Sequence, residues 1–273
     1  MNRSLIFDIG CHIGEDSEFY LKKGFHVVAV EANPALCVIL RKRFVKEIIE
    51  GRFVLVEKAI AERDGQVEFF VNKASIWGTI RSHMAERNAA AGAESTKISV
   101  PSTRFRSLIE QFGMPYYLKV DIEGADHLCL EGLQSFSDRP MYASIEVDQS
   151  SVFEMHQSVK LFKQTGYTRF QIVNQGLVPL VRSPNPASEG QYAPHEFPEG
   201  ATGTFGKELP GEWITETQSR LEFVKIFARN KLDGLSKKAP GLKMLRSRVP
   251  GSWYDLHGAL PAELENSQYH SPS

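Results

Sequence analysis

The sequence predicts an α/β protein: a doubly wound, mostly parallel sheet with a C-terminal elaboration. Short continuous apolar runs alternate with helical patterns over residues 5–56, as parallel strands joined by crossover helices require. Three strand-like runs close on an acid, at Asp8, Glu31 and Asp121. From residue 183 the composition changes, with five prolines and five glycines in residues 183–211, so regular structure is not expected there.

Residues 5–8 suit a strand buried on both faces. Residues 10–16 read as a loop and 17–23 as a helix stopped by Gly24. Residues 26–31 are the second strand. Asn33 then caps a helix with Pro34 in its first position, and Leu36, Ile39, Leu40 and Phe44 recur at helical spacing. Residues 53–56 are the third strand. Val67, Phe69 and Val71 alternate with Gln66 and Glu68 behind an Asp64-Gly65 turn, the pattern of a half-exposed strand. Residues 74–97 carry little pattern. A capped helix is expected over 101–113, with Phe105, Leu108, Ile109 and Phe112 on one face. A strand at 116–121 and a helix at 126–136 follow. Strands at 141–148 and 169–173 flank a helix whose apolar face is Val152, Met155, Val159 and Phe162. A further helix is expected over 216–229. The expected division is a core of residues 1–182 and an extension of residues 183–273 that covers the substrate.

Composition excludes several classes. Hydrophobic residues make up 42% of the 273 and charged ones 24%, the balance of a globular protein. A formal charge of -1 offers no basic field for nucleic acid. No apolar run approaches the roughly 18 residues of a membrane span, and the run after Ser4 is too short for a signal sequence. Residues 229–248 hold seven Lys/Arg and one Asp, but their leucines are irregularly spaced, which fits a solvated face rather than a membrane anchor. Three cysteines, Cys11, Cys37 and Cys129, have no metal-type spacing and leave an odd thiol, so a reducing cytoplasm is the expected location.

In an open α/β sheet, ligands bind beyond the carboxyl ends of the strands. The first such end runs Asp8-Ile-Gly10-Cys-His-Ile-Gly14. Gly10 permits a tight turn and close approach of a ligand, and Gly14 admits the chain to its helix. Glu31 can accept both hydroxyls of a ribose. A dinucleotide fingerprint needs glycines where His12 and Glu15 stand, and Glu15 would repel a pyrophosphate. S-adenosylmethionine has no phosphate; its ammonium, sulfonium and ribose suit acids at strand ends, and Asn33 beside Glu31 joins that set.

Three segments, Phe7-Asp-Ile-Gly-Cys-His-Ile-Gly14, Val28-Ala-Val-Glu-Ala-Asn-Pro34 and Tyr117-Leu-Lys-Val-Asp-Ile-Glu-Gly124, together resemble the FkbM-type methyltransferase family. The last is the most specific. The resemblance covers roughly residues 4–175 and continues more weakly from Phe197 to His257. It implies a class I, Rossmann-like methyltransferase fold of seven strands, and methylation of hydroxyl groups on small molecules. It also implies that Asp8, Gly10, Gly14 and Glu31 hold the cofactor while Asp121 faces its methionine end. His12 departs from the glycine many methyltransferases carry there. No helices are expected ahead of the first strand, where methyltransferases usually carry them, and residues 183–273 are expected to do their covering.

An alcohol is a poor nucleophile, so either a base takes its proton or a metal lowers its pKa. Asp255 and His257 alternate with Trp253 on a strand-like stretch, which makes His257 the candidate base and Asp255 the residue orienting it, with Asp121 close to the chemistry. Asp121, Glu123 and Asp148 are possible ligands of a divalent metal, though no metal is the favoured expectation. Residues 75–79, 203–206 and 253–257 are the candidate acceptor pocket. The expected activity is O-methylation of a sugar or secondary metabolite. The alternatives are a cofactor-binding module without turnover, and an NAD or nucleotide-sugar oxidoreductase.

Overall fold

A computed structural model describes residues 1–72, 79–80, 95–122, 124–238 and 253–261. In chain order the elements are β1 (Asn2–Ile9), α1 (Glu15–Lys22), β2 (His26–Val30), α2 (Pro34–Arg43), α3 (Val45–Ile49), β3 (Phe53–Val56), β4 (Ala59–Ile60), β5 (Gly65–Asn72) and β6 (Ser95–Thr103). There follow α4 (Phe105–Phe112), β7 (Pro115–Val120), α5 (His127–Leu133), β8 (Tyr142–Glu146), α6 (Val152–Gln164), β9 (Arg169–Asn174), α7 (Glu216–Lys238) and β10 (Tyr254–Ala259). Among the described residues no helix is long and apolar enough to cross a membrane.

Seven strands form one sheet in the order β3-β2-β1-β7-β8-β10-β9. Every pair is parallel except those of β10, which runs antiparallel to both β8 and β9. This is the doubly wound, seven-stranded class I methyltransferase architecture that the sequence predicts. Its register decides where ligands go. Ile9 lies beside Val30 on one side and Val120 on the other, so Gly10, Glu31 and Asp121 emerge together at one edge. The boundary expected at residue 182 does not enclose the sheet, because β10 comes from the C-terminal segment and lies between two strands of the core.

A second, three-stranded sheet of β4, β6 and β5 stands beside the first. β6 corrects the helix expected from residue 101. Residues 95–102 pair antiparallel with β5, Thr103 pairs with Ile60, and the helix starts only at Phe105. Backbone pairing on both sides holds this stretch extended, while the apolar face of Phe105, Leu108 and Ile109 is kept for the large sheet.

The large sheet is buried on both faces. One face packs Phe7, Val28, Leu118 and Leu256 against α5, α6 and α7 through Leu130, Val159 and Phe223. The other packs Ile6, Val27, Tyr117 and Tyr142 against α1 and against the Pro/Gly-rich segment, through Phe19, Tyr20, Phe197 and Phe205. That segment lacks long helices or strands but is ordered by anchors. The Phe205 ring stacks on Tyr117 with centroids 4.5 Å apart, and Tyr116 donates to Glu189 at 2.8 Å. Lys23 pairs with Glu208 at 2.9 Å, both side chains fully shielded from solvent. The same Glu208 oxygen accepts the backbone N–H groups of Ser188 and Glu189.

Removing one partner of a buried ion pair strands the other in a poor solvent. Lys23→Met should therefore cost about 3–5 kcal/mol in urea denaturation. The double variant Lys23→Met/Glu208→Gln should recover more than half of that loss. Equal stability of wild type and Lys23→Met would show that the clasp does not hold the segment.

Candidate active site

The site begins where β1 ends. Gly10 has φ +79, and a Cβ there would fall 1.8 Å from the carbonyl oxygen of Asp121. Glycine is what lets the ends of β1 and β7 lie against each other. His12 is left-handed too, at φ 53, an uncommon conformation for a residue with a side chain. It is held from both ends: its N–H donates to Glu31 Oε2 at 3.0 Å and its ring Nδ1 meets Glu15 Oε1 at 3.0 Å. Position 12 therefore takes the backbone a glycine would take, which accounts for the departure noted in the loop. Glu31 Oε1 accepts the N–H of Asn33 at 2.7 Å, and Asn33 caps α2 through Ala35 N at 3.0 Å. Burial pushes the Glu31 carboxyl up to about 7, against these backbone donors.

Beyond these strand ends lies a cavity of about 750 Å³. Towards β2 and β3 it is lined by Gly10, His12, Glu31 and Asn33 with the apolar Ala32, Ile60, Phe69 and Ile80. Towards β8, β10 and β9 it is lined by Asp121, Glu146, Gln175, Trp253 and Asp255, and Glu199 and Thr202 of the C-terminal segment line it as well. Four strand spacings separate β2 from β10, about 19 Å, so the cavity has two ends.

Between them sits Lys119, nearly fully buried. Its Nζ lies 3.2 Å from Asp8, 3.3 Å from Asp16 and 3.9 Å from Asp121. Burial disfavours the ammonium, but the three carboxylates outweigh it and hold its pKa well above the usual value. Asp16 also accepts the N–H groups of Thr202 and Gly203 at 3.0 and 3.2 Å, and Asp8 accepts the Ser17 hydroxyl at 2.6 Å.

The expected site residues divide by position. Gly10, His12, Glu31, Asn33, Asp121 and Asp255 line one cavity. Asp8 does not; it is fully buried and anchors Lys119 and Ser17. Gly14 is outside the lining as well. Its φ is +87, and a Cβ there would meet the Phe44 ring at 2.4 Å, so it serves loop packing. His257 shares a face of β10 with Asp255, but it is 1% exposed, outside the lining, and neither ring nitrogen has a hydrogen-bond partner. Burial pushes its pKa down to about 3. A neutral ring sealed in the core cannot take a proton from a ligand, so the base expected at His257 is not supported by its position.

Of the possible metal ligands, Asp121 reaches the cavity, while Asp148 is exposed and accepts Ser150 N at 2.8 Å. Glu123 lies outside the described residues, as do residues 75–78 of the expected acceptor pocket and most of the basic stretch after residue 238. Among the described residues no three metal-ligating side chains converge. The sequence reading missed Lys119, Asp16 and Gln175. A lysine inside a buried strand was the available signal for Lys119; Asp16 and Gln175 offered none.

A family model described as Methyltransferase FkbM domain matches residues 8–168, more than half of the chain. The chain belongs to this family. It is an S-adenosylmethionine-dependent methyltransferase, and the oxidoreductase alternative falls with that membership. No curated protein matches it in sequence. Among solved structures it is similar to precorrin-6y C5,15-methyltransferase from Geobacter metallireducens GS-15, at 9% identity and a TM-score of 0.41, over 95% of this chain and 81% of that one. It is also similar to StiE O-MT residues 942-1257, at 11% identity and a TM-score of 0.41, over 94% of this chain and 68% of that one.

In this FkbM-domain protein, Gly10→Ala combines backbone strain with a backbone clash and should cost about 2–5 kcal/mol. Gly51, at φ +71 with nothing within 4 Å of a new Cβ, provides the control, and Gly51→Ala should cost about 1–2 kcal/mol. Equal losses in urea denaturation would show that the β1–β7 approach is not tight.

Proposed function

We propose that the chain methylates a hydroxyl group of a small molecule, such as a sugar or a secondary metabolite. The observation that carries this reading is one cavity running from Glu31 to Asp255, a buried carboxylate with no hydrogen-bond partner among the described residues.

The side chains fit the cofactor. Glu31 keeps lone pairs for two ribose hydroxyls, and Ala32, Ile60, Phe69 and Ile80 offer apolar surface to a base. Asp121 is placed for an ammonium. When bound, S-adenosylmethionine supplies a methyl group on a positively charged sulfur, which is displaced as a neutral thioether. The protein's part is then alignment, exclusion of water and removal of the hydroxyl proton. Asp255 is the group for that last task. Its carboxyl is raised well above the usual range by burial first and by Asp121 next, with Lys119 opposing, which makes it a stronger base than a solvated carboxylate. The other acids near Lys119 are already engaged: Asp8 by Ser17, Asp16 by the Thr202 and Gly203 amides.

Calorimetry with S-adenosylhomocysteine tests the cofactor end. Glu31→Ala should weaken binding by about 1–3 kcal/mol. Only the ionised carboxylate accepts fully from ribose donors, so wild-type affinity should rise with pH through about 7. Flat affinity from pH 6 to 8 would remove Glu31 from the ribose. At the acceptor end, Asp255→Asn should lower methyl transfer to hydroxyl compounds about 10²–10⁴-fold while leaving cofactor affinity within two-fold. Transfer at the wild-type rate would sink the assignment.

A further inference from the structure

The acceptor end has a chemistry of its own. β10 pairs with β8 so that Asp255 stands directly opposite Glu146, and both line the cavity. Asp121 ends the next strand over, and Glu199 of the C-terminal segment lines the same cavity. Two lysines line the cavity among the described residues. Lys58 follows β3 at the far edge of the sheet, and Lys119 is shared by Asp8, Asp16 and Asp121. Asp255 is 7% exposed, and among the described residues its carboxylate has no hydrogen-bond partner. Gln175 is 3% exposed, lines the same end, and its Nε2 has no hydrogen-bond partner.

A buried carboxamide N–H without a partner costs about 1–3 kcal/mol; Gln175 lines the cavity with its Nε2 shielded from solvent, and a rotation of the side chain toward a ligand oxygen would satisfy it. Trp253 adds an aromatic face at the same end. The required ligand therefore carries an oxygen acceptor, a cation or several hydrogen-bond donors, and a C–H face. A divalent metal meets only the second need, and among the described residues no three ligating side chains converge to hold one. Among the described lining residues carboxylates outnumber lysines, which disfavours an anionic acceptor: two unit charges 4 Å apart interact by about 4 kcal/mol at an effective dielectric constant near 20.

We infer that the acceptor is an amino sugar or cyclic amino alcohol, whose ammonium and neighbouring hydroxyl both meet Asp255 while Gln175 donates to a ring or hydroxyl oxygen. The inference rests on the proposed methyl transfer to a hydroxyl and names the class of molecule that presents it.

The test is calorimetry on the full chain, treated with chelator and saturated with S-adenosylhomocysteine. The probes are D-glucosamine, D-glucose, D-glucose 6-phosphate and magnesium chloride. Glucosamine should bind at least ten-fold tighter than glucose, and glucose 6-phosphate should not bind. Asp255→Asn should abolish the amine preference and Gln175→Ala should weaken both neutral and aminated sugars, each with S-adenosylhomocysteine affinity retained. Equal or absent binding of the two sugars, tighter binding of the phosphate, a preference that survives Asp255→Asn, or saturation by magnesium instead would overturn the inference while leaving the methyltransferase reading in place. Failure of S-adenosylhomocysteine itself to bind would take both down.

Discussion

The Lys119 ammonium, held between Asp8, Asp16 and Asp121, is the interaction on which the site's construction depends. Taking one lysine and its carboxylates out of water costs several kcal/mol per ion, and only close, multiple pairing offsets that cost. Each carboxylate comes from a different place: Asp8 from β1, Asp16 from α1, Asp121 from the end of β7. The ammonium therefore fixes the relative position of three elements at the edge of the sheet where the cavity opens. Asp16 extends the tie by accepting two backbone N–H groups of the C-terminal segment. The cavity floor and the wall over it are one connected polar network.

The wall is ordered although it contains little regular structure. Phe197 and Phe205 fill the core on the α1 side of the sheet, and Glu189 and Glu208 take hydrogen bonds that the irregular backbone would otherwise leave unmade. A loop with so many prolines and glycines loses less conformational entropy where proline already restricts it, and the aromatic anchors supply apolar burial. The segment is packed as part of the fold.

The two ends of the cavity are built differently. The cofactor end is mostly local: Gly10, His12, Glu31 and Asn33 lie on the first two strands and their loops. His12 and Asn33 donate their N–H groups to Glu31, while the Gly10 carbonyl accepts from Lys119. The acceptor end is assembled from β7, β8, β10, the turn after β9 and the C-terminal segment.

The strands, their order of appearance and the acids that close them were readable because each is a contiguous pattern: an apolar run, a turn glycine, an acid. Family motifs in the same runs added the cofactor, and Asn33 and Pro34 announced their helix by local capping chemistry. What the sequence could not decide was which of two neighbouring residues does the work. Asp255 and His257 look equivalent on a strand, both on one face, yet one opens onto the cavity and the other is sealed in the core. That difference is set by where β10 inserts, opposite Glu146 and more than a hundred residues away in the chain. Gly14 and Asp8 likewise match the motif, but the Phe44 ring and the Lys119 ammonium claim them. Local patterns specify elements because backbone propensity and side-chain period act over a few residues. The roles of buried charges are decided by tertiary structure, because a charge's partners and solvent are supplied by whatever the rest of the chain packs beside it.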